Sequence, residues 1–309
     1  MLELLWILSY SRVEFCMTIT REKPTLSLGT ANFGMAYGLG GSGKLAEVSQ
    51  VKQILKAAIS EGFSHLDTAT AYKNSEKILG DLLQDGSNFR VTTKLKSSEC
   101  SDAKTIIQAV RDSLQRSKQT KYWSVLLHNS KVLLEGNSKE VQSGLREIVD
   151  CGLTERVGIS GYDESEIVQA KSMASFLSVF QVPDNVCDQR LRESSQLSTL
   201  ALEDNLIFVR SIFLQGLLLM DPLSLPPKVA SGSTGLRKLK AFCDEHGISI
   251  LDLCIGYAKS LPWVSGLIFG ADSEKQIHEI SKSFNSTINV DYSIAPKLDS
   301  FLLDPRNWS

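Results

Sequence analysis

Short apolar or β-branched runs recur along the 309-residue chain, and most of them close on a polar residue. They fall at 25–30 (TLSLGT), 65–67 (HLD, after Phe63), 90–95 (RVTTKL), 123–128 (WSVLLH), 156–160 (RVGIS), 176–182 (FLSVFQV), 206–211 (LIFVRS) and 264–270 (VSGLIFG). Between the runs the apolar positions change to helical spacing. Residues 47–62 place Val51, Ile54, Leu55, Ala58 and Ile59 on one face and stop at a glycine; 101–117 repeat the pattern with Ile106, Ile107, Val110 and Leu114 behind a Ser-Asp start. Similar faces cover 75–84, 139–150, 164–175, 193–203, 235–246 and 249–260. Eight strands alternating with helices predict an α/β chain folded as a (β/α)8 TIM barrel. The rival, a doubly wound dinucleotide sheet, needs a glycine-rich turn that opens a helix at once. Residues 29–44 hold glycines but read as an extended loop, and their spacing is not that of a phosphate-binding P-loop. The irregular segment 220–235, broken by Pro222, Pro226, Pro227 and Gly232, reads as a loop at the C-terminal ends of the strands.

Charge narrows the partners. A net charge of −2 and a pI near 6.1 leave no basic stripe, so nucleic acid is excluded and a small molecule is the expected partner. The six cysteines form no CxxC and no Cys/His cluster, which predicts reduced thiols in a cytoplasmic protein and no metal site. Residues 1–16 are apolar but carry Glu3 where a signal peptide needs a basic start, and no small-residue cleavage site follows. They read as a dispensable extension ahead of a single barrel domain over 17–309, in which nothing is long and apolar enough for a membrane.

The barrel makes the polar strand ends converge on one mouth. Asp67, Lys94, His128, Ser160 and Gln181 stand at or near the ends of the second to sixth runs, and Arg210 with Ser211 at the end of the seventh. Tyr72 follows Asp67 on a loop of small residues. Any one of these has a bland reading: a solvated lysine, a hydrogen-bonded core histidine, an aspartate capping a turn. Together they make chemical sense. A phenol with an ordinary pKa of about 10 is a poor acid at neutral pH. A lysine ammonium beside it stabilises the phenolate, an aspartate fixes that cation, and a histidine orients a carbonyl oxygen. Such a group protonates an alkoxide as it develops, so it needs a hydride donor.

DTATAY (67–72), TTKL (92–95) and LLHN (126–129) resemble the aldo-keto reductase superfamily, and the likeness runs from about residue 25 to residue 285. The resemblance implies a (β/α)8 barrel enzyme that reduces an aldehyde or ketone with NADPH or NADH. Tyr72 would be the general acid, Lys94 its pKa-lowering partner, Asp67 the anchor of Lys94 and His128 the substrate-orienting group. Thr30, Ala31 and Asp67 would line the nicotinamide, Ser160 and Gln181 would bind its carboxamide, and Arg210 stands where many relatives stack a tyrosine on the ring. Ser211, Phe213, Gln215 and Gly216 would follow the pyrophosphate. Gly270, Asp272 and Gln276 would meet the adenosine end; without a basic residue there, and with Asp272 repelling a 2′-phosphate, NADH or dual use is expected. Gly161 replaces a common asparagine and Lys73 a common glycine. Residues 31–45 and LLHNS resemble a branch often associated with sugar metabolism, so a keto sugar is an expected substrate, and Tyr37, Trp123 and the 220–235 segment are candidates for lining its pocket. The superfamily also contains cofactor-binding regulatory or redox-sensing barrels, which tolerate loss of the tetrad; here all four residues stand. A metal-dependent barrel hydrolase is opposed by the absence of any HxH pair.

Overall fold

The computed structural model describes residues 23–39, 45–83 and 88–308; the expected extension at 1–16 lies outside them. The strands are β1 (Thr25–Gly29), β2 (His65–Asp67), β3 (Arg90–Leu95), β4 (Tyr122–Leu127), β5 (Thr154–Ser160), β6 (Val179–Pro183), β7 (Leu206–Arg210) and β8 (Gly266–Gly270). All pair in parallel with their sequence neighbours, and β8 returns to β1, closing the barrel. The helices are α1 (Ala31–Gly34), α2 (Val48–Ser60), α3 (Ser75–Leu82), α4 (Ala103–Ser117), α5 (Lys131–Leu134), α6 (Ser138–Asp150), α7 (Glu164–Met173), α8 (Ser195–Leu202), α9 (Ser233–His246), α10 (Ile250–Ser260), α11 (Glu274–Asn285) and α12 (Ser300–Leu303). Each expected strand is present within three residues of its expected ends. The loop expected over 29–44 differs in one respect: α1 forms a single turn just after β1, with its residues buried.

Alternation along the strands divides the apolar residues into two sets. Leu28, Leu66, Val125, Ile159, Phe180 and Leu267 face outward against helices that bury Ile54, Ile106, Leu145, Ile167 and Ile277. Trp123, Leu126, Val179, Phe208 and Ile268 turn inward and fill the barrel floor. Trp123, a candidate pocket residue by sequence, is one of these. It packs edge-on against His65 at 4.7 Å and does not line the cavity above. Hydroxyls fill the next layer, where Thr92 Oγ1 and Ser124 Oγ lie 2.8 Å apart. The mouth at the C-terminal strand ends is the polar layer.

His65 carries a stability consequence. It is buried at the floor between Trp123 and Phe208, and its Nε2 has no hydrogen-bond partner. Burial, assisted by the Arg90 charge, pushes the imidazole down to about 4. The folded pKa lies below the unfolded value of about 6.5, so the unfolded chain takes up the proton first as pH falls. His65 therefore removes stability across that window, roughly 3 kcal/mol when it is fully crossed. Urea unfolding at about pH 7 and about pH 4.5 should show His65→Leu losing less stability on acidification than wild type; equal losses would exclude His65 as a source.

After β8 and α11 the chain from 286 onward returns across the molecule. It buries Tyr292, Ala295, Leu298, Leu302 and Trp308 and carries Pro305 and Arg306 to the mouth.

Candidate active site

Asp67 ends β2, and its carboxylate is almost fully buried. Lys94 Nζ donates to its Oδ2 at 2.5 Å, and Gln181 Nε2 donates to its Oδ1 at 2.6 Å. Lys94 is 2% exposed, so neither charge is tolerable without the other. Burial lowers the Lys94 pKa, while Asp67 works against that shift.

Tyr72 is brought back over this pair by a tight loop. Thr70 N–H donates to Lys94 O at 3.0 Å, Tyr72 N–H to Ala69 O at 2.9 Å, and Ser75 N–H to Tyr72 O at 3.0 Å. Two residues shape the turn. Gly34 packs so closely beneath it that a Cβ there would sit 1.9 Å from Tyr72 O. Lys73 adopts φ 46, the left-handed conformation that a glycine would hold without strain. The lysine at this position thus keeps the turn geometry at a local backbone cost.

The Lys94 ammonium lies 5.1 Å from the centroid of the Tyr72 ring, and the His128 ring meets it edge-on at 5.8 Å. The four residues therefore converge, as their strand-end register implied. Their electrostatics differ from the expectation in one respect. Burial first, then the Asp67 charge, raises the Tyr72 phenol above its ordinary value, and the cation that opposes this is Arg210. The phenol is held protonated, because desolvation and the Asp67 charge outweigh the Arg210 cation. His128 is pushed down to about 4 by burial, followed by the Lys94 charge, so it is a neutral imidazole at physiological pH.

All four line one cavity of about 840 Å³ that runs from the barrel mouth to α11. Thr30, Ala31, Ser160, Arg210, Ser211, Phe213, Gln215, Gly216, Gly270, Asp272 and Gln276 line it too. Gln181 does not. Its amide is turned under Asp67, leaving its buried Oε1 without a partner. Phe213 packs its ring 5.5 Å from Phe269, and Leu214, Gln215 and Gly216 form a left-handed run whose carbonyl at Gln215 accepts from Leu39 N–H at 2.8 Å. That contact straps the loop after β7 to the loop after α1, across the cavity.

Sequence reasoning missed several lining residues. Asn32 donates from Nδ2 to Ala271 O at 2.7 Å and to Asp272 Oδ1 at 3.0 Å, fixing the loop after β8. Glu279, one turn into α11, adds a second carboxylate at that end. Tyr162, two residues after Ser160, could have been found from its strand-end position. Arg306 had no such signal, since it follows the last strand by more than thirty residues. Tyr37 lies on the rim as expected, 44% exposed overall with its hydroxyl turned inward and pushed up to about 12, chiefly by burial. Met220, Asp221 and Ser224 carry the 220–235 segment to the cavity. Among the described residues no group of His, Cys, Asp and Glu is placed to hold a metal ion, and no helix is long and apolar enough to cross a membrane.

Comparison with known proteins bears on this geometry. The model of the Aldo/keto reductase family matches residues 25–295. A rice (Oryza sativa subsp. japonica) protein described as a "Probable voltage-gated potassium channel subunit beta" is 25% identical over 283 residues, spanning 79% of this chain and 84% of its own. An aldo-keto reductase of Mycolicibacterium vanbaalenii is 27% identical over 152 residues, 47% of this chain and 52% of its own. Among solved structures, an aldo-keto reductase of Klebsiella pneumoniae in complex with NADPH superposes with a TM-score of 0.67 at 18% identity, covering 86% of this chain and 87% of that one.

Proposed function

Since this chain belongs to the aldo/keto reductase family, and so to the NAD(P)H-dependent oxidoreductases, we propose that it reduces a small aldehyde or ketone to the alcohol, with Tyr72 as general acid and NADH as the preferred donor. The observation that carries this reading is the convergence of Asp67, Tyr72, Lys94 and His128 at the head of one long cavity.

The cavity fits a dinucleotide. Ser160 lines its wall with a hydroxyl able to meet the carboxamide of a nicotinamide, while Gln181 lies beneath, bound to Asp67, and does not line it. Thr30 and Ala31 flank the same region, Ser211 to Gly216 line the middle, and Gly270 leaves open space where a Cβ would stand. A bound nicotinamide supplies the hydride. The protein's share is to orient and to move a proton. Neutral His128 holds the carbonyl oxygen, and the protonated Tyr72 phenol donates to that oxygen as charge develops on it. Lys94, fixed by Asp67, presents its cation to the ring of Tyr72 and stabilises the phenolate left behind. The rice relative's name points to the regulatory alternative, but a site with all four groups assembled and a protonated acid favours turnover.

The choice of donor rests on the far end of the cavity. Asp272 and Glu279 line it, Asp272 is pinned by Asn32, and Lys275 on α11 is 82% exposed and paired with Glu279 at 3.7 Å. Among the described residues, a 2′-phosphate there meets two carboxylates and no cavity-lining cation. Fluorescence titration should give NADH binding at least about tenfold tighter than NADPH, narrowing in Asp272→Arg. Tighter binding of NADPH by wild type would overturn the preference, and binding of neither nucleotide would overturn the enzymatic reading.

A further inference from the structure

Arg210 is a half-buried guanidinium at the head of the cavity, and among the described residues no carboxylate pairs with it. Nη2 donates to Gly161 O at 3.0 Å, Nη1 reaches Ser211 Oγ at 3.5 Å, and the buried Nε has no partner. An uncompensated cation away from bulk water is costly unless a ligand neutralises it. The nearby acid, Asp67, is already held by Lys94. The guanidinium carbon lies 4.7 Å from the Tyr162 ring, and that of Arg306, brought in by the C-terminal segment, lies 3.6 Å from the same ring. Asp304 grips Arg306 through two nitrogens but does not line the cavity, whereas Arg306 does. One tyrosine thus carries two guanidiniums at the end of the cavity where Tyr72 and His128 stand.

From this arrangement we infer that Arg210, Tyr162 and Arg306 form an anion subsite, and that the substrate is an aldehyde or ketone bearing a carboxylate or phosphate. The inference rests on the carbonyl-reductase reading and adds its substrate class. Planar guanidiniums stacked on an aromatic ring are pre-oriented for two-pronged contact with either oxyanion. The anion would neutralise Arg210, while the carbonyl at the other end of the same molecule lies against Tyr72 and His128. The assignment also links two of the family departures, Gly161 and Arg210. Arg210 Nη2 donates to the main-chain carbonyl of Gly161, so the two positions are in direct contact.

The test compares matched pairs with NADH: succinic semialdehyde against butanal for the carboxylate, and glyceraldehyde 3-phosphate against glyceraldehyde for the phosphate. At low salt kcat/KM should favour a charged member by about tenfold or more, mainly through KM, and the ratio should fall as salt is added. Whichever pair responds names the anion. Arg306→Ala, a change at an exposed position that spares the core, should lower the charged-to-neutral ratio about tenfold, and Arg306→Lys should restore part of it. A calorimetric arm without turnover titrates the NAD+ complex with succinate and with neutral succinamide; succinate alone should bind, and Arg210→Met should abolish it. Equal kcat/KM for both members of both pairs would overturn the subsite while leaving carbonyl reduction standing. Weaker NADH binding in Arg210→Met, with the charged-to-neutral ratio unchanged, would assign the guanidinium to the cofactor instead and also overturn it. Reduction of no carbonyl together with no nucleotide binding would remove the parent reading and this one with it.

Discussion

Tyr72→Phe should leave nucleotide binding intact and cut carbonyl reduction by about 10³-fold, the scale of a lost general acid. The two readouts separate because of where the hydroxyl sits. Tyr72 lines the cavity head against the Lys94 ammonium and the His128 imidazole, whereas the groups expected to hold the dinucleotide lie at the end of β5 and on the loops after β1, β7 and β8. Removing one oxygen spares the backbone bonds that form the turn, so the variant should fold like wild type. The raised phenol pKa adds a second signature. The acid stays protonated through the neutral range, so wild-type kcat for reduction should be nearly flat there. Wild-type turnover in Tyr72→Phe would end the assignment.

Lys94→Met should be the most destabilising single change at the site. It strips the buried Asp67 carboxylate of its cation and leaves Gln181 as its remaining side-chain partner. Breaking one half of a buried pair costs about 3–5 kcal/mol, and for a chain of this size that lowers Tm by roughly 10 °C. The double variant Asp67→Asn with Lys94→Met should recover more than half of the loss, because no charge is then buried alone. Activity should remain low in both, since the cation beside Tyr72 is gone in each. A double variant no more stable than Lys94→Met would show that the loss comes from packing and not from the orphaned carboxylate.

The strand and helix pattern was legible in the sequence because each barrel unit is local. A short run buried on both faces is followed by an amphipathic helix of one period, and the right-handed crossover does the rest. The tetrad was legible for the same reason: Asp67, Lys94 and His128 end consecutive strands, and the register of a closed barrel carries strand ends to one rim. The position of Tyr72 followed from the small residues behind Asp67, and the left-handed backbone at Lys73 shows what the missing glycine would have eased.

What the sequence by itself determined is therefore the barrel and the convergence of Asp67, Tyr72, Lys94 and His128, both of which depend on periodicity and strand register. Only the tertiary structure decided the rest. It turned Gln181 under Asp67 and away from the cavity, raised the Tyr72 phenol where a cationic neighbourhood alone would lower it, and set Arg306 on Tyr162 beside Arg210. Those outcomes depend on burial depth and on contacts between residues far apart in the chain. Desolvation and long-range packing leave no periodic trace in a sequence, and they exist only once the barrel has closed and the C-terminal segment has crossed it.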